Sequence, residues 1–128
     1  MKKKILVIED NPMVVKSLEF KLLKEGYDVS IAIDGRSAME QLEANNFDLI
    51  LTDLMLPFVS GSQLIEHIKK NHPNIPIIVL STATQEDIIT DAFNMGVDDF
   101  ITKPFSPNEL ALRVKRSIGS FKNQFSHK

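Results

Sequence analysis

Five polar positions stand out because each closes a short apolar run. Ile5-Leu6-Val7-Ile8 ends on Glu9-Asp10, and Leu49-Ile50-Leu51-Thr52 ends on Asp53. Ile77-Ile78-Val79-Leu80 ends on Ser81, and Asp99-Phe100-Ile101-Thr102 ends on Lys103. Runs of this kind read as strands of a parallel sheet. The polar residues therefore belong at strand C-termini, where open α/β sheets bind ligands. Three carboxylates in one crevice repel one another unless a cation is present. A hard divalent ion is the usual remedy, Mg²⁺ above all, with Mn²⁺ able to substitute. Lys103 adds an ammonium, whose attraction to a carboxylate at about 4 Å near a surface is on the order of 4 kcal/mol before desolvation. Ser81 adds a hydroxyl donor. Metal and lysine can hold phosphoryl oxygens while a carboxylate oxygen attacks in line. Asp53 is the expected nucleophile, and an aspartyl phosphate the expected product.

The elements that must position these groups follow in order. Asn11-Pro12 is a helix cap with proline at the first helical position, and that helix stops at Gly26. Val29, Ile31 and Ile33 alternate with Ser30 and Ala32, the pattern of an edge strand. Asp34-Gly35 turns into a second helix that ends at Asn45-Asn46. Ser60 and Gln63 form a capping box for the third helix, which Pro73-Asn74 closes. Thr84 is expected to cap a fourth helix bearing Ile88, Ala92, Phe93 and Met95, stopping at Gly96. Ser106-Pro107-Asn108-Glu109 is the clearest helix start, for a last helix reaching about Phe121. Strand and helix alternate five times, which predicts a doubly wound (βα)5, flavodoxin-like α/β fold: one five-stranded parallel sheet with helices on both faces. The mixed-polarity strands, second and fifth, belong at the edges, in agreement with the order 2-1-3-4-5. That order makes strands one and three neighbours, so Glu9, Asp10 and Asp53 share a crevice.

Composition sets the broad class. A chain of 128 residues fits one domain, and 43% hydrophobic with 25% charged residues is ordinary for a soluble globular protein. A net charge of -2 gives no general affinity for nucleic acid or anionic membrane. The absence of cysteine excludes disulfides, thiolate catalysis and cysteine-based zinc sites. No apolar run approaches membrane-spanning length, and the expected setting is cytoplasmic.

Together these residues resemble the receiver domain of two-component response regulators. The resemblance spans Ile5 to about Ile118 and rests on Glu9-Asp10, Asp53 in Thr-Asp-Leu-Met-Leu-Pro, Ser81, and the stretch from Gly96 to Phe105. The 2-1-3-4-5 order is itself a property of that family, so it and the resemblance are not independent expectations. The resemblance implies a receiver domain over residues 1–121, with 122–128 a C-terminal tail or truncated linker. It implies a phosphoacceptor switch rather than an enzyme, taking its phosphoryl group on Asp53 from a sensor histidine kinase or phosphotransfer protein. Mg²⁺ would be held by Asp10, Asp53 and the Met55 carbonyl, with Glu9 acting largely through water. Lys103 and Ser81 would hold phosphoryl oxygens. Ser81 would then move toward the phosphoryl group and Phe100 turn inward, reshaping the face of the fourth helix, fifth strand and fifth helix. Lys103-Pro104 would be a cis peptide. Output would pass to an effector protein or a fused output domain, without direct nucleic-acid binding by this domain, and with a phosphorylation-dependent homodimer as one route.

Plainer readings stand beside these. Glu9-Asp10 also suits a turn before Pro12, a strand-end serine is common, and Phe100 is core in either reading. His67 and His72 have the wrong spacing for an i, i+4 metal pair and are expected to face solvent. Three departures from the family pattern bear on partners. Phe58-Val59-Ser60 is more apolar than usual and suggests either a loop folded on itself or a partner contact. Ile88 and Ile89 place at least one isoleucine on solvent at the switching face. Asp99, Glu109 and Arg113 match the charges of the winged-helix subfamily's dimer, but Ile89, Met95 and Ser120 stand at the partner positions, against that mode. Three other classes compete. An aspartyl-phosphate phosphatase of the haloacid dehalogenase type needs an aspartate where Met55 stands. A flavodoxin-like cofactor binder needs a phosphate loop where Glu9-Asp10-Asn11-Pro12 repels phosphate. A receiver-like, phosphorylation-independent protein-binding module would not need the acid set.

Overall fold

The computed structural model describes residues 2–126 other than Phe58, and from Ser120 onward the helical backbone alone. Five strands alternate with five helices: β1 (Lys4–Ile8), α1 (Pro12–Lys24), β2 (Asp28–Ala32), α2 (Gly35–Ala44), β3 (Leu49–Asp53), α3 (Gly61–Asn71), β4 (Ile77–Ser81), α4 (Glu86–Asn94), β5 (Asp99–Thr102) and α5 (Pro107–Ser126). All strand pairs are parallel, and the order is β2-β1-β3-β4-β5. The expected fold and order are both present.

The period-two alternation of side chains divides the strands between two cores. Leu6, Ile8, Ile50, Ile77 and Val79 pack with Ala38 and Leu42 of α2, Leu64, Ile65 and Ile68 of α3, and Ala92 of α4. Ile5, Val7, Leu49, Leu51, Ile78, Leu80 and Ile101 face the other way, onto Leu18 and Leu22 of α1 and Leu110 and Val114 of α5. Two-sided burial is why β1, β3 and β4 read as unbroken apolar runs. β2 lies at one edge, as expected, but the expected alternation does not hold: Val29, Ser30 and Ile31 are all half-buried, Ala32 is buried, and Ile33, just past the strand, is 61% exposed.

Caps fix where the helices begin. The Asn11 side chain accepts from Met13 N and Val14 N, and Asp34 accepts from Ser37 N. Ser60 and Gln63 form the reciprocal capping box. Gly26 (φ 95) and Gly96 (φ 97) take the left-handed turn that ends α1 and α4, where a side chain is strained. Lys103-Pro104 is cis.

Several expectations fail locally. Gln85, not Thr84, precedes α4, and it makes no side-chain cap bond; Glu86 and Asp87 in the first turn favour the helix electrostatically instead. Ala92 is the buried residue of α4, while Ile88 (36%) and Phe93 (46%) are exposed and Ile89 is half-buried. Leu23 is 53% exposed although apolar, because its neighbour Leu22 occupies the inward face of α1. His67 does not face solvent: it is half-buried, its Nδ1 lies 3.3 Å from the Asn71 amide, and its Nε2 is buried without a partner. α5 continues to Ser126 rather than ending near Phe121, since no glycine or proline interrupts Lys122 to Ser126. Phe58 and the Ser120 side chain lie outside the described residues, so the readings placed on them are not met here.

Candidate functional site

The site is built where the strands end. Glu9 N–H donates to Ala32 O at 3.0 Å and Lys103 N–H donates to Ser81 O at 2.8 Å, so both residues are carried one step beyond β1 and β5 by the sheet ladder. Asp53 is the last residue of β3 and Ser81 the last of β4, so their positions are set by strand pairing rather than by loop conformation. Just beyond Asp53, Gly61 N–H donates to Leu54 O at 3.0 Å, and a Cβ on Gly61 would fall 2.5 Å from Leu54 Cα. That close approach requires glycine, and it clamps the loop that leaves Asp53.

Carboxylate oxygens of Glu9, Asp10 and Asp53 lie within 4.8 Å of one another. Lys103 Nζ donates to Glu9 Oε1 at 2.5 Å and to Asp53 Oδ2 at 2.9 Å. The other oxygens are held by backbone: Asn11 N–H donates to Glu9 Oε2 at 3.2 Å, and Met55 N–H donates to Asp53 Oδ1 at 3.1 Å. Glu9 (2% exposed) and Asp53 (8%) are buried, while Asp10 is exposed and has no hydrogen bond or ion pair among the described residues. Burial of the Lys103 ammonium acts to lower its pKa, but the hydrogen bonds and charges of Glu9 and Asp53 outweigh it, leaving Lys103 above the ordinary lysine value of 10.5.

Three carboxylates against one ammonium leave two negative charges uncompensated in the crevice. The donors are hard oxygens on a partly open, partly buried wall, a set that fits a small divalent cation of the Mg²⁺ class. The Asp10 carboxylate, exposed and unbonded, and the solvent-facing side of Asp53 are where such an ion is best received. Ser81 is 3% exposed, and its Oγ accepts from Ala83 N–H at 3.1 Å. Phe100 is half-buried against the α2–α3–α4 core and pairs in register with Val79.

The five polar residues singled out in the sequence are thus at one edge, with Phe100 two strand positions behind Thr102. What sequence reasoning missed is the direct Glu9–Lys103 pair. Composition places a lysine near three acids but does not say which it takes. Glutamate's extra methylene carries its carboxylate across to the β5 side while Asp10 turns outward. Asp99, one of the charges that match the winged-helix subfamily's dimer pattern, is buried and pairs within the chain with Arg113 (2.6 Å) and Arg116 (3.1 Å).

Residues 5–115 match the family model of the response regulator receiver domain. Among curated proteins, the chain is 38% identical over 115 residues to the alkaline phosphatase synthesis transcriptional regulatory protein PhoP of Bacillus subtilis, covering 90% of this chain and 48% of that protein. The chain therefore spans about half the length of that relative. Among solved structures it resembles a CheY-like receiver domain protein from Methanospirillum hungatei (TM-score 0.91, 27% identity, 97% of this chain and 99% of that one). It also resembles the receiver domain of Francisella response regulator 1452 (TM-score 0.88, 32% identity, 94% and 99%).

Proposed function

The chain belongs to the response regulator receiver domains of two-component signalling, and from that premise we propose that it accepts a phosphoryl group on Asp53 with the help of Mg²⁺. The observation that carries this reading is the convergence on Asp53 of a lysine at 2.9 Å, a backbone donor at 3.1 Å and an unbonded neighbouring carboxylate, Asp10. In the proposed step an Asp53 oxygen attacks the phosphorus of a phosphohistidine. The new O–P bond forms as the P–N bond breaks, and the electron pair leaves on the imidazole nitrogen. Met55 N–H and Lys103 orient the carboxylate, and Lys103 and Ser81 meet the phosphoryl oxygens. Asp10, Asp53 and the Met55 carbonyl would hold Mg²⁺, which supplies charge neutralisation between carboxylates and phosphoryl oxygens. Glu9, already engaged by Lys103 and Asn11 N–H, contributes chiefly charge and the placing of the lysine.

Asp53 lies at the base of the crevice, so a protein donor must cover its rim. An apolar groove lined by Met13, Val14, Pro104 and Phe105 adjoins Lys103 and suits a histidine kinase or phosphotransfer protein. Output follows from movement of Ser81 and Phe100, which would alter the α4-β5-α5 face for an effector or a fused output domain. The intact acid set and its lysine favour an acceptor over a phosphorylation-independent binding module. Intact mass after incubation with acetyl phosphate, with and without Mg²⁺, tests the reading. A single metal-dependent phosphoryl addition, absent in Asp53→Asn, is expected; no addition under either condition removes it.

A further inference from the structure

Among the described residues the two most solvent-exposed methionines, Met13 (81%) and Met55 (76%), both stand at the rim of the acid crevice. Met39 and Met95 are half-buried and pack against the core. The chain has no cysteine, so these thioethers are its most readily oxidised groups. Met55 differs from Met13 in its attachment. It follows Asp53 by two residues, its N–H holds Asp53 Oδ1 at 3.1 Å, and it lines a cleft with Ser81, Thr82, Ala83 and Ile88. That cleft adjoins Asp53 through Leu54 and Met55, which follow it in the chain, and through Ser81 at the end of the neighbouring strand.

We propose that Met55 is a site of reversible oxidation, and that its sulfoxide shortens the life of the phosphoryl group on Asp53; this rests on the acceptor reading above. The oxidant is a hydroperoxide such as hydrogen peroxide. A sulfur lone pair attacks one peroxide oxygen, the O–O bond breaks, and that oxygen stays on sulfur. Sulfur is oxidised by two electrons, and the peroxide is reduced to water. The apolar thioether leaves the cleft a poor place to order water. The sulfoxide oxygen is a strong acceptor that holds a water molecule beside the phosphorus, where hydrolysis begins. Methionine sulfoxide reductases remove the oxygen and restore the apolar cleft.

The test uses the whole chain as wild type, Met55→Leu and Met13→Leu, each with and without dilute hydrogen peroxide. Peptide mass locates the added oxygen. Acetyl phosphate with Mg²⁺ then loads the protein, and intact mass follows phosphoryl loss after the donor is removed. Oxidised wild type is expected to lose the group about threefold faster, the scale of one hydrogen bond to water. Reductase treatment reverses this, Met13→Leu keeps the acceleration, and Met55→Leu shows none. Met55 left unoxidised while Met13 is converted, oxidised Met55 with unchanged decay, or acceleration that persists in Met55→Leu each overturns the inference and leaves the acceptor reading standing. An unoxidised protein that takes no phosphoryl group removes the acceptor reading, and this inference with it.

Discussion

Lys103→Met in metal-free protein tests the electrostatic account of the site most directly. The substitution keeps the length and apolar stem of the side chain and deletes the ammonium that bridges Glu9 at 2.5 Å and Asp53 at 2.9 Å. At an effective dielectric of about 20, each attraction is roughly 6 kcal/mol before desolvation. Most of that is offset, because all three groups are largely out of water. The measurable quantity is the effect of leaving buried carboxylates unpaired, about 3–5 kcal/mol when one partner of a buried pair is removed. The crevice is open on its Asp10 side, so about 3 kcal/mol is expected, or a fall in Tm of roughly 10 °C for a domain of this size. Chemical and thermal denaturation at pH 7 in a chelator provide the measurement. Glu9→Gln in the same background should recover part of the loss, because it removes one of the stranded charges. The double-mutant cycle therefore has a coupling of about 2 kcal/mol, well outside the scatter of about 0.5 kcal/mol for independent sites. Additive effects, or a Lys103→Met variant as stable as wild type in the chelator, would refute the view that this lysine neutralises the buried acids.

Three further outcomes are expected. Lys103 titrates above its ordinary value of 10.5, so its contribution to metal-free stability is fully present below that pH and is lost as pH rises through the higher folded-state value; the wild-type advantage over Lys103→Met in alkaline denaturation curves should shrink only there. Gly61→Ala forces a Cβ against Leu54 backbone at 2.5 Å and should lower stability by about 2 kcal/mol or more in urea unfolding, with Asp53 phosphorylation slowed as its loop shifts. Arg113→Ala should destabilise by about 2 kcal/mol, because it removes the closer partner of buried Asp99, whereas Arg116→Ala, at a side chain 69% exposed, should stay within about 0.5 kcal/mol.

The apolar runs make the sheet legible in the sequence: two-sided burial needs unbroken hydrophobic strands, and β1, β3 and β4 have them. The site was legible for the same reason, since each polar residue that closes a run must sit at the edge where the strand leaves the core. α4 was less legible. Its packing depends on Ala92 alone among buried residues, too little to set a clear helical period, and its start at Gln85 lacks a side-chain cap. His67 was misplaced because burial of one ring edge is decided by neighbours on α3 and its following turn, which spacing does not show. The pairing of Lys103 with Glu9 rather than Asp10 depends on one methylene and on which way each carboxylate turns from β1, a difference of rotamer that no linear pattern records.

The resting contacts also bound how strongly phosphorylation can drive the proposed switch. Ser81 Oγ is engaged by Ala83 N–H at 3.1 Å, so reaching a phosphoryl oxygen gives up a neutral hydrogen bond worth about 1 kcal/mol net. A charge-assisted bond to the phosphoryl group returns about 1.5–3 kcal/mol. The difference, about 0.5–2 kcal/mol, shifts a two-state equilibrium by an amount centred on roughly tenfold, far less than the ~5.5 kcal/mol needed to carry it from one extreme to the other. Ser81 alone therefore cannot make the change complete. Lys103 would supply a second contribution, because phosphorylation replaces the single carboxylate charge of Asp53 with a phosphoryl group of about −1.5 to −2 and draws the ammonium away from Glu9. Phe100 would supply a third through added burial of a ring that is half-buried at rest. A switch assembled from three modest terms is graded: Ser81→Ala should leave phosphorylation of Asp53 possible yet lower the activated fraction by about tenfold, read as partner affinity at saturating phosphorylation. Unchanged affinity in that variant would mean that the hydroxyl carries none of the shift.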